Sequence, residues 1–156
     1  MSFFSALRIA GSALTAQRLR TDVIANNIAN MNTTRTAEGG PYRRQQLVFT
    51  PRQEQVPFRT ILLAQGVVNI PSLTGATMPP GQGVRVSRVG PDDRPARRAY
   101  EPDHPDADAE GFVSYPDIDP VTEMADMLSA TRAYEANVTA LNAAKAMASK
   151  ALEIGR

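Results

Sequence analysis

At positions 3, 7, 10, 14, 17, 21, 24, 28 and 31 the chain reads Phe, Leu, Ala, Leu, Gln, Thr, Ile, Ile and Met, alternating steps of four and three. Such a stripe follows one face of a helix, and the strict alternation is that of a coiled-coil seam. Gln17 and Thr21 dilute its middle, so the helix needs a partner to persist. Ser2 is placed to cap its start. Asn26, Asn27, Asn30 and Asn32 carry short amides that compete for backbone hydrogen bonds, which ends the helix near Met31.

The same pattern returns at the other end. Met124, Met127, Thr131, Tyr134, Val138, Leu141, Lys145, Ala148 and Leu152 alternate threes and fours after the first step, with Lys145 interrupting the seam. Asp119 is a capping residue, Pro120 suits the first helical position, and Glu123 lies near the positive end of the helix dipole. Ten of the 36 residues from Val121 to Arg156 are Ala, which favours helix and lets a neighbouring helix approach closely. A helix from Pro120 to Ile154 would be roughly 50 Å long.

Between these ends the composition changes. All twelve prolines fall between Pro41 and Pro120, and eight of the ten glycines between Gly39 and Gly111. Tyr42 to Thr50 and Gly83 to Val89 read as short strands, the second alternating apolar and polar residues. Tyr100 belongs to a third strand, and Phe112, Val113 and Tyr115 to a fourth. Gly81-Gln82-Gly83 is a turn. Residues 51–82 lack a period and are rich in Pro, Gln and Gly, which predicts a mobile loop. The chain is therefore expected to be α+β, with N- and C-terminal helices (1–35 and 120–156) paired as a coiled-coil-like bundle and a small β-rich middle (36–119). Nothing evident in the middle covers either seam, so the helices are expected to meet each other or other chains.

The 156 residues carry 17 Lys+Arg and 16 Asp+Glu, a net charge of +1. That balance, with few aromatics, argues against nucleic-acid binding. Absence of cysteine removes disulfides, thiolate nucleophiles and Cys-based zinc sites, and His104 is the one histidine. No catalytic, cofactor or metal site is expected. The longest uncharged stretch, Thr60 to Val84, is broken by Pro71, Pro79 and Pro80 and is no membrane span. No cleavable secretory signal is expected either. The segment from Glu101 to Asp119 holds seven acids and no Lys or Arg. A metal-dependent enzyme centred on His104 is one reading of it. An acidic linker paired with Arg85, Arg88, Arg94, Arg97 and Arg98 is the preferred one, because the Asp/Pro alternation lacks the spacing of a calcium loop.

Leu19-Arg20-Thr21-Asp22-Val23-Ile24-Ala25-Asn26-Asn27-Ile28-Ala29-Asn30 resembles the N-terminal signature of bacterial flagellar rod and hook proteins. Gly40-Pro41-Tyr42-Arg43-Arg44, the run from Tyr100 through Asp103-His104-Pro105-Asp106 to Val113, and Asp119-Pro120-Val121-Thr122-Glu123-Met124 are similar to its proximal-rod branch, as is Ala130 through Leu152. Residues 51–82 offer no matching motif.

The resemblance implies a structural, non-enzymatic subunit of the proximal rod of the flagellar basal body. It implies export by the flagellar type III apparatus without a cleaved signal, and helical assembly around the export channel to link the MS ring to the hook and transmit torque. The implied partners are other rod subunits, proximal and distal, further copies of this chain, export-gate and MS-ring adaptor proteins, and the rod-cap protein. The expected subunit-interface residues are Leu7, Leu14, Ile24, Asn26, Asn27, Ile28, Asn30, Met124, Met127, Tyr134, Val138, Leu141 and Leu152. The rival within the family is a different rod subunit.

Overall fold

The computed structural model describes residues 3–52 and 82–154. Helix α1 spans Phe3–Ala29, strands β1 and β2 span Gln45–Pro51 and Val84–Pro91, β3 and β4 span Arg97–Tyr100 and Phe112–Tyr115, and helix α2 spans Pro120–Ile154. The layout is α+β, with two long helices flanking a small set of antiparallel strands. The loop expected over 51–82 lies outside the described residues from 53 to 81, as does the cap expected at Ser2.

The start of α2 follows from its sequence. Asp119 accepts hydrogen bonds from the amides of Val121 and Thr122 and from the Thr122 hydroxyl, occupying donors that a first helical turn leaves without intrahelical partners. The hydroxyl first, and then the Val121 amide, hold the Asp119 carboxyl below its usual range. Its contribution is therefore complete above the ordinary carboxylate range and is lost as pH falls through the lowered value. Asp119→Ala should lower the melting temperature of the helices. Asp119→Asn, which still accepts, should remove the acid dependence of the cap, as followed by circular dichroism across pH.

The strands form two separate pairs, β1 with β2 and β3 with β4, both antiparallel. In the first pair Leu47 faces Val89 and Phe49 faces Val86, with a register shift between Val48 and Phe49. Ser87 is the extra residue, and its hydroxyl donates to the Val48 carbonyl at 3.1 Å. The bulge changes the parity of β2, so Val84, Val86 and Val89 share one face although their spacing is two and then three. In the second pair Tyr100 and Phe112 meet edge to face at 5.3 Å, and the Arg98 guanidinium lies 4.9 Å from the Phe112 ring centre.

Helix α1 is covered on two sides. It packs against α2 and also against β1 and β2, the strands meeting a second stripe beside the expected seam. The second stripe consists of Ser12, Ala16, Leu19, Val23 and Asn27, at steps of four, three, four and four. Leu19, Val84 and Val86 line one shallow groove there with Ser12 and Ala16. The Ser12 hydroxyl donates to the Ile9 carbonyl at 2.7 Å and accepts from the Val84 amide at 3.1 Å. This close approach needs glycine at position 83, whose φ is 107° and where a Cβ would run into Ser12 Oγ.

Candidate assembly interface

Where α1 ends, α2 begins and β1 enters, a polar knot is buried. Asn27 is 1% exposed. Its carboxamide acts as an extra rung for β1, donating from Nδ2 to the Gln45 carbonyl at 2.9 Å and accepting at Oδ1 from the Gln45 amide at 2.9 Å. The Tyr42 hydroxyl donates to the same Oδ1 at 3.0 Å, and Nδ2 donates its second hydrogen to Glu123 Oε2 at 3.2 Å. Burial, and then the negative charge of Glu123, push the Tyr42 phenol above its usual range, which keeps it a donor.

Glu123 sits in the first turn of α2 and is also 1% exposed. Arg44 Nε and Nη2 both lie 2.7 Å from Oε1, leaving Oε2 for Asn27. Arg44 Nη1 reaches Asp92 Oδ2 at 3.4 Å, and Arg94 Nε donates to that oxygen at 2.8 Å, holding the Asp92 carboxyl below its usual range. Arg94 continues to Asp117 at 3.3 Å. A carboxylate this deeply buried is tolerable only with such partners.

The two helices run antiparallel, as the pairs Arg20–Asp126 at 2.9 Å and Asn27–Glu123 require. The α2 face turned inward carries Glu123, Met127, Ala130, Asn137, Leu141, Ala144 and Ala148, all buried or half-buried. The expected seam therefore holds at Met127, Val138, Leu141 and Ala148, but Met124, Thr131, Tyr134, Lys145 and Leu152 are exposed. The physical reason is close approach: Ala130 and Ala144 set the line along which the helix axes come together, and Thr131 and Lys145 lie off that line. Val121 (72% exposed), Met124 (60%) and Leu128 (53%) make a continuous stripe at steps of three and four on the side away from Ala130.

Among the residues expected at subunit contacts, Ile24 and Asn27 are buried within the chain. Leu7, Leu14, Ile28, Asn30, Met127, Val138 and Leu141 are half-buried, while Asn26, Met124, Tyr134 and Leu152 are exposed. Asn30 binds locally, with Nδ2 donating to the Asn26 carbonyl and Oδ1, each at 2.9 Å. The acidic segment pairs with basic residues in part as expected: Arg94 with Asp117, and Arg98 with Asp108 and Glu110, joined by Arg35 with Asp106. His104 Nδ1 accepts from the Asp106 amide at 3.1 Å, and its ring meets Tyr115 edge to face. Among the described residues no three His, Asp or Glu side chains converge as a metal cage would require.

Residues 7–35 match the family Flagella basal body rod protein, and residues 109–154 match Flagellar basal body rod FlgEFG protein C-terminal. The chain is 45% identical to the flagellar basal-body rod protein FlgC of Borreliella burgdorferi, with 99% of this chain and 98% of that protein aligned. It is 46% identical to FlgC of Bacillus subtilis and 38% identical to FlgC of Escherichia coli O157:H7, with both chains aligned over their full length in each case. The chain belongs to the FlgC family.

It is thus a structural protein of the flagellar basal-body rod. The matched stretches of this FlgC-family chain contain most of α1 and all of α2, the two elements that the knot ties together. Sequence reasoning did not single out Tyr42, Arg44 and Glu123 as one cluster, because Glu123 lies 79 positions from Arg44 and no period links them. It also passed over Val121 and Leu128. Their spacing with Met124 was the available signal, a second apolar stripe beside the expected seam. Among the described residues no helix is long and apolar enough to cross a membrane.

Proposed function

We propose that this chain is a non-enzymatic subunit of the proximal rod, assembling helically around the export channel to link the MS ring to the hook and transmit torque. The observation that carries this reading is the side of α2 turned away from α1, where Val121, Met124 and Leu128 stand exposed. Large apolar side chains displayed in a row favour burial against another protein. With Tyr134, Leu152 and Asn26, also exposed, they form the surface offered to neighbours. Those neighbours are further copies of the chain, other rod subunits both proximal and distal, the export-gate and MS-ring adaptor proteins at the base, and the rod-cap protein during growth. Non-closing heterologous contacts of this kind build a helical shaft. The subunit arrives through the flagellar type III apparatus.

Deleting the gene should remove rod and hook while leaving the membrane rings, as seen in isolated basal bodies, and the full chain should restore them. A chain carrying Met124→Glu and Leu128→Glu should accumulate and keep its helices, because substitutions at exposed positions alter stability by about 0.5 kcal/mol or less. It should nevertheless fail to restore rods. Intact rods in the deletion strain would refute the rod reading, and full rescue by the double variant would remove α2's outer side from the interface.

A further inference from the structure

We propose that Asn27, Glu123 and Arg44 form a lock of fixed hydrogen-bond polarity that sets the orientation of the β1–β2 pair on the two helices. This rests on the rod reading for its purpose: a subunit under torque needs its strands held rigidly to its helices. The geometry itself stands apart from that reading.

All four hydrogen-bonding capacities of the Asn27 carboxamide are used, two as donor to Gln45 and Glu123 and two as acceptor from Gln45 and Tyr42. The Gln45 amide can only donate, and its carbonyl and the Glu123 carboxylate only accept, so the carboxamide has one workable orientation. From the end of α1, Asn27 thus joins the approach to and start of β1 with the first turn of α2. Arg44 carries the connection to Asp92, just beyond β2. The other described contact between α1 and the strands holds a single hydrogen bond, from the Val84 amide to Ser12 Oγ at 3.1 Å, beside Ala16, Leu19 and Val86 along one groove. Apolar contact tolerates sliding, whereas a buried carboxylate loses its partners if either helix moves by a turn.

Polarity makes the lock testable apart from shape. Asn27→Asp is nearly isosteric but replaces the donor with a carboxylate facing the Gln45 carbonyl and Glu123. Adding Glu123→Gln supplies an amide hydrogen toward that new carboxylate while keeping an oxygen for Arg44. In the deletion strain, the Asn27→Asp chain should lower the number of hook–basal bodies per cell at least about tenfold, the factor that corresponds to roughly 1.4 kcal/mol. The combined variant should recover most of that loss. In the purified full chain, hydrogen exchange at the Gln45 amide, which Asn27 Oδ1 holds at 2.9 Å, should follow the same order. An Asn27→Asp chain equal to the unaltered one, or a combined variant no better than Asn27→Asp alone, would overturn the lock. Should the deletion strain keep its rods, the rod reading falls and the exchange measurement still decides the lock.

Discussion

Arg44→Met should cost about 3–5 kcal/mol, because it strands Glu123 as a buried charge without its ion-pair partner. The carboxylate is 1% exposed and would keep only the Asn27 amide, at 3.2 Å. Water cannot compensate without opening the corner between α1, α2 and β1. For a chain of this length the loss corresponds to a fall of roughly 10 °C in melting temperature. It would be a large share of the roughly 5–15 kcal/mol that typically separates folded from unfolded chains. Removing both charges is a different matter. The Arg44→Met, Glu123→Met double variant abolishes the stranded charge and leaves Asp92 still paired with Arg94 at 2.8 Å. It should recover more than half of the single variant's loss, since replacing a buried ion pair by apolar groups is often close to neutral. Thermal unfolding of the four chains of this cycle gives the coupling directly. A double variant as unstable as Arg44→Met would show that the arginine acts through packing, not charge.

Much of the architecture was written locally. Confinement of proline between Pro41 and Pro120 announced both long helices, and Asp119-Pro120 marked the start of α2 to the residue. Strand β2 was legible from alternation, although the Ser87 bulge was not, since one extra residue in a ladder looks like a lapse in the pattern. Three interactions escaped for a common reason. The Asn27–Gln45, Asn27–Glu123 and Arg44–Glu123 bonds join residues 18, 96 and 79 positions apart. Periodicity reports which face of an element is apolar and carries no information on pairings between elements. Glu123 was noticed for its place near the helix dipole, and burial added a second role to that residue. The α2 seam was half read because hydropathy ranks Met124 and Leu152 above Ala130 and Ala144. Close helix packing selects for size instead, and Ala130 and Ala144 are the residues that are buried.

That preference for size gives Ala130→Leu the second large effect. Ala130 is 0% exposed on the α2 face that meets α1. Nothing between the helices can give way cheaply, because the spacing is fixed at one end by the Asn27–Glu123 bond and on the flank by Arg20–Asp126 at 2.9 Å. Three further carbons must therefore push the axes apart or force an off-rotamer side chain, which costs about 1–3 kcal/mol. Separation of the helices would also lengthen the Arg20–Asp126 pair and strain the knot, placing the expected cost toward the upper end of that range. The matching substitution on the outer side, Leu128→Ala, should leave folding nearly unchanged, since Leu128 is already exposed. Its cost should appear in rod assembly. Ala130→Leu is thus expected to lower the melting temperature of the isolated chain, and Leu128→Ala to spare it while reducing hook–basal bodies per cell. If Ala130→Leu were neutral, the inward side would be loosely packed and the bulky residues outside it would need another explanation.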